Sequence, residues 1–232
     1  MNGYLLIDKP LGWTSFDVVN RVRHMIQNSG LNTTNKKRFP VGHAGTLDPL
    51  ATGLMIVMLG DYTKRAMEFT KLDKTYLVTA RLGQTSTTGD EEGEKTAVSS
   101  QKPTLEAVQV ALQQFLGEIE QVPPVFSAVK IDGKRAYKLA REGKLPEMKP
   151  RLVKIYDISQ IEYQYPDVDF SVSVSSGTYI RSLVEDLGKA LGTGAYTAEL
   201  RRTKVANYDV AQALAVDKLS PESIYENLQT AD

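Results

Sequence analysis

The amino-acid sequence predicts an α+β fold with a mainly antiparallel mixed sheet flanked by helices. Strand-like and helix-like segments follow one another without the strict strand–helix alternation of a parallel α/β sheet. Two neighbouring segments, 153–165 and 168–174, have the pattern of an antiparallel pair, and the second alternates apolar with polar residues. The length of 232 residues suits one large domain, so we predict a single domain over residues 1–232.

The helix ends carry the clearest local signals. Thr14, with Asp17 three positions later, forms a variant of the capping box and predicts the start of a helix. Pro103 is expected at the first position of a helix over 104–116, and Gly192 ends a helix over 179–191. The other predicted elements are strands at 4–7, 54–59, 75–82 and 125–131, helices at 61–72 and 134–142, and loops at 28–38, 42–53 and 84–101.

The composition excludes several kinds of site. The chain has no cysteine, which excludes disulfides, thiol nucleophiles and cysteine-based metal centres. Its two histidines, His24 and His43, lack the spacing of a histidine metal site. Neither a GxGxxG nor a GxxxxGK[ST] motif is present, so no nucleotide cofactor is indicated. We therefore expect any chemistry to use side chains alone, with no cofactor and no metal.

The hydrophobic pattern predicts a cytoplasmic protein with no membrane partner. The longest apolar run, 54–59, is far shorter than the roughly 20 residues that span a bilayer. The N-terminal residues reach Asp8 without a basic segment, unlike a secretory signal.

The charges cancel overall but are segregated along the chain. There are 28 basic and 28 acidic residues. Residues 121–155 contain nine lysines and arginines against three acids, and residues 1–40 contain six against two. This segregation predicts a basic stripe that contacts a nucleic-acid backbone. The alternative is a solvated surface on which the charges cancel in three dimensions.

Residues 42–53 read GHAGTLDPLATG and hold the main candidate carboxylate. Three glycines allow tight backbone geometry, and Pro49 restricts the preceding Asp48. Because an apolar strand is predicted to follow, Asp48 should lie on a rigid loop at the edge of a buried scaffold. The alternative is that Asp48 only forms an Asx-turn before the proline.

This segment resembles the GHxGTLDPxATG signature of the TruB family of pseudouridine synthases, which includes the bacterial tRNA pseudouridine-55 synthases. Other blocks of the chain resemble the family in the same order, and the resemblance extends over roughly residues 3–208. These blocks are KPLGWTS at 9–15, KTY at 74–76, residues 83–93, PPVFSAVK at 123–130, AREG at 140–143, GTYIRS at 177–182 and LRRT at 200–203.

The resemblance implies a cofactor-free isomerisation of uridine to pseudouridine at position 55, in the T loop of tRNA. The base would flip into a pocket around Asp48, the residue in the place of the family's catalytic aspartate. Asp48 would attack the anomeric carbon, add to carbon 6 of the ring or remove the ribose 2′ proton, and the sequence leaves these three roles open. Arg181 is implied beside it as a catalytic residue whose charge favours the ionised carboxylate. Without the family, Arg181 would be a surface ion pair.

Five further residues take their implied roles from the same resemblance. Tyr76 would stack on the target base, with its hydroxyl handling a proton, and Tyr179 and Leu200 would line the uracil pocket. His43 would fill the space left by the flipped nucleotide. Lys130 would bind RNA as part of a basic clasping insertion near 124–152. Without the family, Tyr76 and Leu200 would be core residues and His43 a loop histidine that caps a carbonyl.

The implied partner is tRNA, bound through its T stem-loop by a monomer with no protein partner. Many family members carry a C-terminal RNA-binding domain of the PUA type, which we expect to be missing here. Two other functions stay open: an RNA-binding or tRNA-folding module with secondary chemistry, and an RNA N-glycosylase, because an aspartate near an anomeric carbon also suits hydrolysis.

Overall fold

The computed structural model describes residues 1–29, 38–127, 129–131, 133–144 and 146–230. The chain forms two compact units, a first unit of Met1–Tyr76 with Arg201–Asp232 and a second unit of Leu77–Leu200. Most of the predicted loop at 28–38 lies outside the described residues.

The strands are numbered along the chain. They are β1 (Gly3–Lys9), β2 (Val41–Ala44), β3 (Ala51–Leu59), β4 (Lys74–Leu82), β5 (Gln84–Ser86), β6 (Lys95–Ala97), β7 (Gly117–Gln121), β8 (Lys130–Ile131), β9 (Lys134–Arg135), β10 (Arg151–Gln164), β11 (Asp167–Val174), β12 (Ala195–Val205), β13 (Tyr208–Asp209) and β14 (Leu214–Ala215).

The described α-helices are short. They are α1 (Ser15–Asn28), α2 (Ala66–Thr70), α3 (Leu105–Gln113), α4 (Ala136–Arg141), α5 (Ile180–Ala190) and α6 (Pro221–Glu226). Three 3₁₀ helices lie at Gly60–Arg65, Val210–Gln212 and Val216–Lys218. In the described part of the chain, no helix has the length and apolar character needed to cross a membrane.

In the first unit the strand order is β14-β1-β3-β12. Strand β3 pairs antiparallel with β1 from Gly3–Leu59 to Lys9–Gly53, and β2 also pairs with β3. Strand β14 pairs parallel with β1 at the edge of this set. The core between these strands and α2 is a cluster of apolar and aromatic side chains, namely Tyr4, Leu6, Ala44, Leu54, Ile56, Met58, Phe69 and Val205.

In the second unit the strand order is β4-β11-β10-β7. Strand β10 pairs antiparallel with β11, which confirms the pair predicted at 153–165 and 168–174. Its other edge pairs antiparallel with β7. Helix α5 buries its apolar face, and Gly188 on that helix lies so close to β12 that a Cβ would come within 2.2 Å of the Ala195 nitrogen. A mixed, mainly antiparallel sheet with helices around it confirms the predicted fold class.

Several predicted elements differ from the structure. The predicted loop at 42–53 is shorter, because its ends belong to β2 and β3. The loop predicted at 84–101 contains the β5–β6 hairpin, and only Lys130–Ile131 of the strand predicted at 125–131 is a strand. Lys134 and Arg135 pair as β9 before α4 begins. Thr104, whose hydroxyl accepts from the Ala107 N–H, caps α3, so Pro103 precedes the helix instead of opening it.

Candidate active site

The loop between β2 and β3 carries Asp48, whose side chain is half-buried. The carbonyl oxygen of Asp48 accepts a hydrogen bond of 3.1 Å from the Ala51 N–H, which closes a turn around Pro49. This turn sets the carboxylate at the entry of the most buried strand of the first unit, where all residues from Gly53 to Leu59 are buried.

Ser15, the first residue of α1, fixes the residue before Asp48. Its hydroxyl donates to the Leu47 carbonyl oxygen at 2.9 Å and accepts from the Leu47 N–H at 2.8 Å. Both Ser15 and Leu47 are buried. This pair of bonds satisfies two backbone groups that water cannot reach and ties the loop to the start of α1.

Lys9 fixes the residue after Asp48. Its ammonium group is fully buried and donates to the carbonyl oxygens of Pro10, Trp13 and Pro49, at 3.0, 2.6 and 3.4 Å. The Gly12 N–H donates to the same Pro49 oxygen at 2.9 Å. Burial of an ammonium group is tolerable here because its donors face carbonyl dipoles.

Arg202 on β12 holds the first residue of the loop and is 1% exposed. Its guanidinium donates to the Gly45 carbonyl oxygen at 3.0 Å, and its Nε donates to the Leu54 oxygen at 2.7 Å. Gly53 has a φ of +102°, and a Cβ there would come within 2.2 Å of the Arg202 carbonyl oxygen. A side chain at Gly53 would therefore separate β3 from the strand that carries Arg202.

Lys74 is a third buried cation beside this loop, since a Cβ on Gly45 would lie 3.8 Å from its Cε. Its ammonium group donates to the carbonyl oxygens of Thr70, at 2.6 Å, and Leu72, at the end of α2. Burial, and secondarily the charge of Arg202, lowers the pKa of Lys74 to about 8.

His43 and Tyr76 also belong to the first unit. His43 is half-buried on β2, opposite Val57 of β3. Tyr76 is 8% exposed and lies on the inward face of β4 with Lys74. The burial of Tyr76 is compatible both with a residue of the core and with a residue that lines a pocket.

Arg181 lies in the first turn of α5, in the second unit, and is buried. Its guanidinium donates to the carbonyl oxygens of Thr88 at 3.0 Å and Phe126 at 2.8 Å, and lies 3.3 Å from the Asp90 carboxylate. Asp90 is buried as well and also accepts from the Glu92 N–H. These contacts exclude the alternative of a surface ion pair for Arg181.

The remaining predicted residues all lie in the second unit. Tyr179 caps α5, and the buried Gln121 side chain donates to its carbonyl oxygen and accepts from its N–H, at 3.0 and 2.8 Å. Leu200 is half-buried on β12. Lys130 is exposed on β8, opposite Arg135 of β9.

The sequence reasoning singled out Asp48 but missed the side chains that hold its loop. Ser15, Lys9 and Arg202 are the residues that the structure brings against this loop, and Gln121 and Asp90 play the corresponding part around α5. Lys9, Ser15 and Arg202 lie in blocks that resemble the family, but their role did not show in the sequence because each acts through backbone groups of distant residues. Among the described residues, no group of three or more His, Asp or Glu side chains is arranged to hold a metal ion.

Comparison with known proteins identifies the family. The model of the TruB family pseudouridylate synthase N-terminal domain matches residues 32–180, and that of the tRNA pseudouridylate synthase B C-terminal domain matches residues 181–231. The chain belongs to the TruB family. This identification confirms the resemblance inferred from the sequence and the predicted enzyme class, a pseudouridine synthase.

Individual TruB relatives align over nearly the whole chain. A protein named tRNA pseudouridine synthase B from Phocaeicola vulgatus is 47% identical over 215 residues, which are 92% of this chain and 89% of the relative. One of the same name from Parabacteroides distasonis is 44% identical, over 97% of this chain and 92% of the relative. A solved chain in a Cbf5–Nop10–Gar1 complex matches with a TM-score of 0.71 and 29% identity. That match covers 96% of this chain and 55% of the solved one.

Proposed function

We propose that this protein isomerises uridine to pseudouridine at position 55, in the T loop of tRNA, and that Asp48 is the essential carboxylate. The single observation that supports this most strongly is the loop of Asp48. It carries the family's signature and is held on three sides by Ser15, Lys9 and Arg202. A catalytic group needs such fixed placement, because a displacement of about 1 Å can lower a rate about 100-fold.

The reaction moves one bond without a net change in oxidation state. The bond from the ribose anomeric carbon to N1 breaks, a bond to carbon 5 forms, carbon 5 loses a proton and N1 gains one. Asp48 attacks the anomeric carbon, adds to carbon 6 or removes the 2′ proton, and each role requires the ionised carboxylate. The target uridine must first leave the folded loop, at a cost of a few kcal/mol that RNA contacts offset.

The other predicted residues keep their implied roles in this proposal. Tyr76 stacks on the base and its hydroxyl assists the proton transfer at carbon 5. Tyr179 and Leu200 line the uracil pocket, His43 fills the vacated space in the RNA, and Arg181 favours the ionised form of Asp48. Lys130 contacts phosphates. The support for Arg181 and Tyr179 is the rigid placement of the start of α5 by Asp90 and Gln121.

The test is the variant Asp48→Asn, assayed with a tRNA transcript that carries tritium at uridine carbon 5. We expect tritium release to fall at least about 1000-fold, while tRNA affinity stays within about tenfold, or 1.4 kcal/mol, because the amide keeps the shape but not the charge. Asp61→Asn, an exposed aspartate in the same unit, is the matched control and should release tritium at the parental rate.

Four outcomes would contradict the proposal. Tritium release by Asp48→Asn within tenfold of the parent would remove Asp48 from the chemistry. Undiminished release from a transcript with cytidine at position 55 would reject the position. Free uracil as the product would indicate the N-glycosylase, and unmodified RNA that binds the parent protein tightly would indicate the binding module.

A further inference from the structure

A groove of about 590 Å³ lies in the first unit, where β1 ends, and contains the chain's only tryptophan, Trp13. A second hollow of about 550 Å³ shares Trp13 and Arg21 with it. We propose that this groove binds one unpaired nucleotide of the substrate RNA, with its base stacked on Trp13 and its phosphate held by Arg21. This inference rests on the proposed function, because it assumes that RNA occupies the neighbouring Asp48 loop.

Trp13 is a fixed platform with an accessible ring. Its carbonyl oxygen accepts the 2.6 Å hydrogen bond from the buried Lys9 ammonium, and the next residue is the capping residue of α1. The Trp13 side chain is half-buried, so part of its ring is accessible to a ligand. A rigid, accessible aromatic ring is typical of surfaces on which unpaired bases stack.

Arg21 is the cation of the groove that is available to bind a phosphate. The Asp17 carboxylate, one turn before Arg21, accepts from the N–H and the hydroxyl of Thr14 at 2.9 and 2.6 Å, and these bonds lower its pKa. Within the described part of the chain, the exposed Arg21 forms no ion pair. A guanidinium with free donors in a shallow groove suits a phosphate.

The two carboxylates of the groove have different surroundings. Asp8 is held by Arg201 in a two-pronged ion pair, with distances of 3.0 and 2.7 Å. Asp217 is exposed and therefore offers an acceptor to the N–H groups of a base. Stacking, one phosphate contact and one base-edge acceptor together fit a nucleotide better than an apolar ligand or a free anion.

The groove adjoins the Asp48 loop through the backbone of Pro49. Lys9, which lines the groove, donates to the Pro49 carbonyl oxygen, and so does the N–H of Gly12. Pro49 directly follows Asp48 in the chain. An RNA strand that delivers a uridine to Asp48 therefore passes close enough to place a neighbouring unpaired nucleotide in the groove.

Trp13 serves as an intrinsic fluorescence probe of the groove, because the chain contains no other tryptophan. We would titrate the Asp48→Asn variant of this 232-residue chain with an unmodified T-arm hairpin RNA and, separately, with each of the four nucleoside 5′-monophosphates. The hairpin should quench the tryptophan emission. The midpoint of this quenching should equal the midpoint of a separate binding titration with a labelled hairpin. The mononucleotides should quench only at concentrations at least about 100-fold higher, because they lack the contacts of the rest of the RNA.

Variants separate stacking from charge. With the labelled hairpin, Trp13→Ala should bind about tenfold more weakly, and Trp13→Phe should bind almost as the parent does. Arg21→Gln should weaken binding and lower the slope of log affinity against log salt by about 0.7 to 0.9. Arg65→Gln, in the same unit but outside the groove, is the matched control.

Unchanged tryptophan emission at a hairpin concentration that saturates the labelled-RNA signal would overturn the proposal, as would equal affinities of the parent and Trp13→Ala. A mononucleotide that quenches at lower concentration than the hairpin would reject the substrate RNA as the source of the nucleotide. Tritium release by the parent protein is measured separately. Tritium release together with unchanged tryptophan emission would refute nucleotide binding in the groove and leave the proposed function standing. Quenching of the tryptophan emission without tritium release would refute the proposed function but not nucleotide binding in the groove.

Discussion

The hydroxyl of Ser15 helps to position Asp48 by holding the residue before it. It is both donor and acceptor for Leu47, the residue directly before Asp48. Removal of this hydroxyl leaves a buried N–H and a buried carbonyl without partners, at a cost of about 1 to 3 kcal/mol. The loop will relieve this cost by shifting, and the shift moves the carboxylate.

We therefore predict that Ser15→Ala lowers kcat for tritium release about 10- to 100-fold and changes KM little, because the substrate contacts remain while the reacting group is misplaced. Ser15→Thr keeps a hydroxyl and should recover part of kcat. The matched control is Ser29→Ala at the other end of α1, where the hydroxyl donates to the Ile26 carbonyl oxygen.

Both Ser15 variants should be compared with the parent at a temperature where urea unfolding shows all three to be folded. A purely structural role would lower the free energy of unfolding and leave kcat per folded molecule intact. That result, or a rise in KM at constant kcat, would contradict a positioning role for Ser15.

At the scale of elements, the β8–β9 hairpin concentrates exposed positive charge. Lys130 pairs directly with Arg135, and Lys134 is adjacent. Like charges opposite each other destabilise a strand pair, so this hairpin gains stability when an anion lies between them. A hairpin of this kind is suited to phosphate contacts.

We predict that the triple variant Lys130→Gln, Lys134→Gln, Arg135→Gln lowers the slope of log tRNA affinity against log salt by about two to three units, because each lost phosphate contact removes roughly 0.7 to 0.9. Turnover on saturating tRNA should change much less. A matched triple variant of cations that pair with carboxylates elsewhere, Lys64→Gln, Arg65→Gln, Lys189→Gln, should keep the parental slope. An unchanged slope in the first variant would show that these cations do not touch phosphates.

The elements also show what a sequence can and cannot predict. The start of α1 was predicted correctly because Thr14 and Asp17 are three residues apart and their capping box is local. Strand β12 was not predicted, since it contains Glu199, Arg201 and Arg202, residues typical of an exposed surface.

The burial of Arg202 explains this failure physically. Its partners, the carbonyl oxygens of Leu54 and Gly45, lie 148 and 157 residues away in the chain. Periodicity cannot show contacts at such separations, because they exist only after the strands have paired. The position of Asp48 on a rigid loop was predictable from its glycines and Pro49, but the clamp of Ser15, Lys9 and Arg202 was not.

At the scale of the whole molecule, burial of charge near the Asp48 loop has a cost in stability. Lys9, Lys74 and Arg202 are all buried in the first unit. Burial lowers the pKa of Lys74 to about 8, from an ordinary value of 10.5. Between these values the unfolded chain binds more protons at this position than the folded protein does, so the free energy of unfolding rises with pH there.

We predict that the parent gains about 2 kcal/mol of unfolding free energy relative to Lys74→Met between pH 7 and pH 9.5, measured by urea unfolding at constant ionic strength. Methionine fills a similar volume without the charge, and the two carbonyl oxygens that Lys74 contacts end α2, where water can replace it. Because all other titrating groups are the same in the parent and in Lys74→Met, their contributions cancel in the difference between the two free energies of unfolding. Lys64→Met, at an exposed lysine, should keep a constant difference from the parent. A difference for Lys74→Met that also stays constant over this range would show that Lys74 is not desolvated in the folded protein.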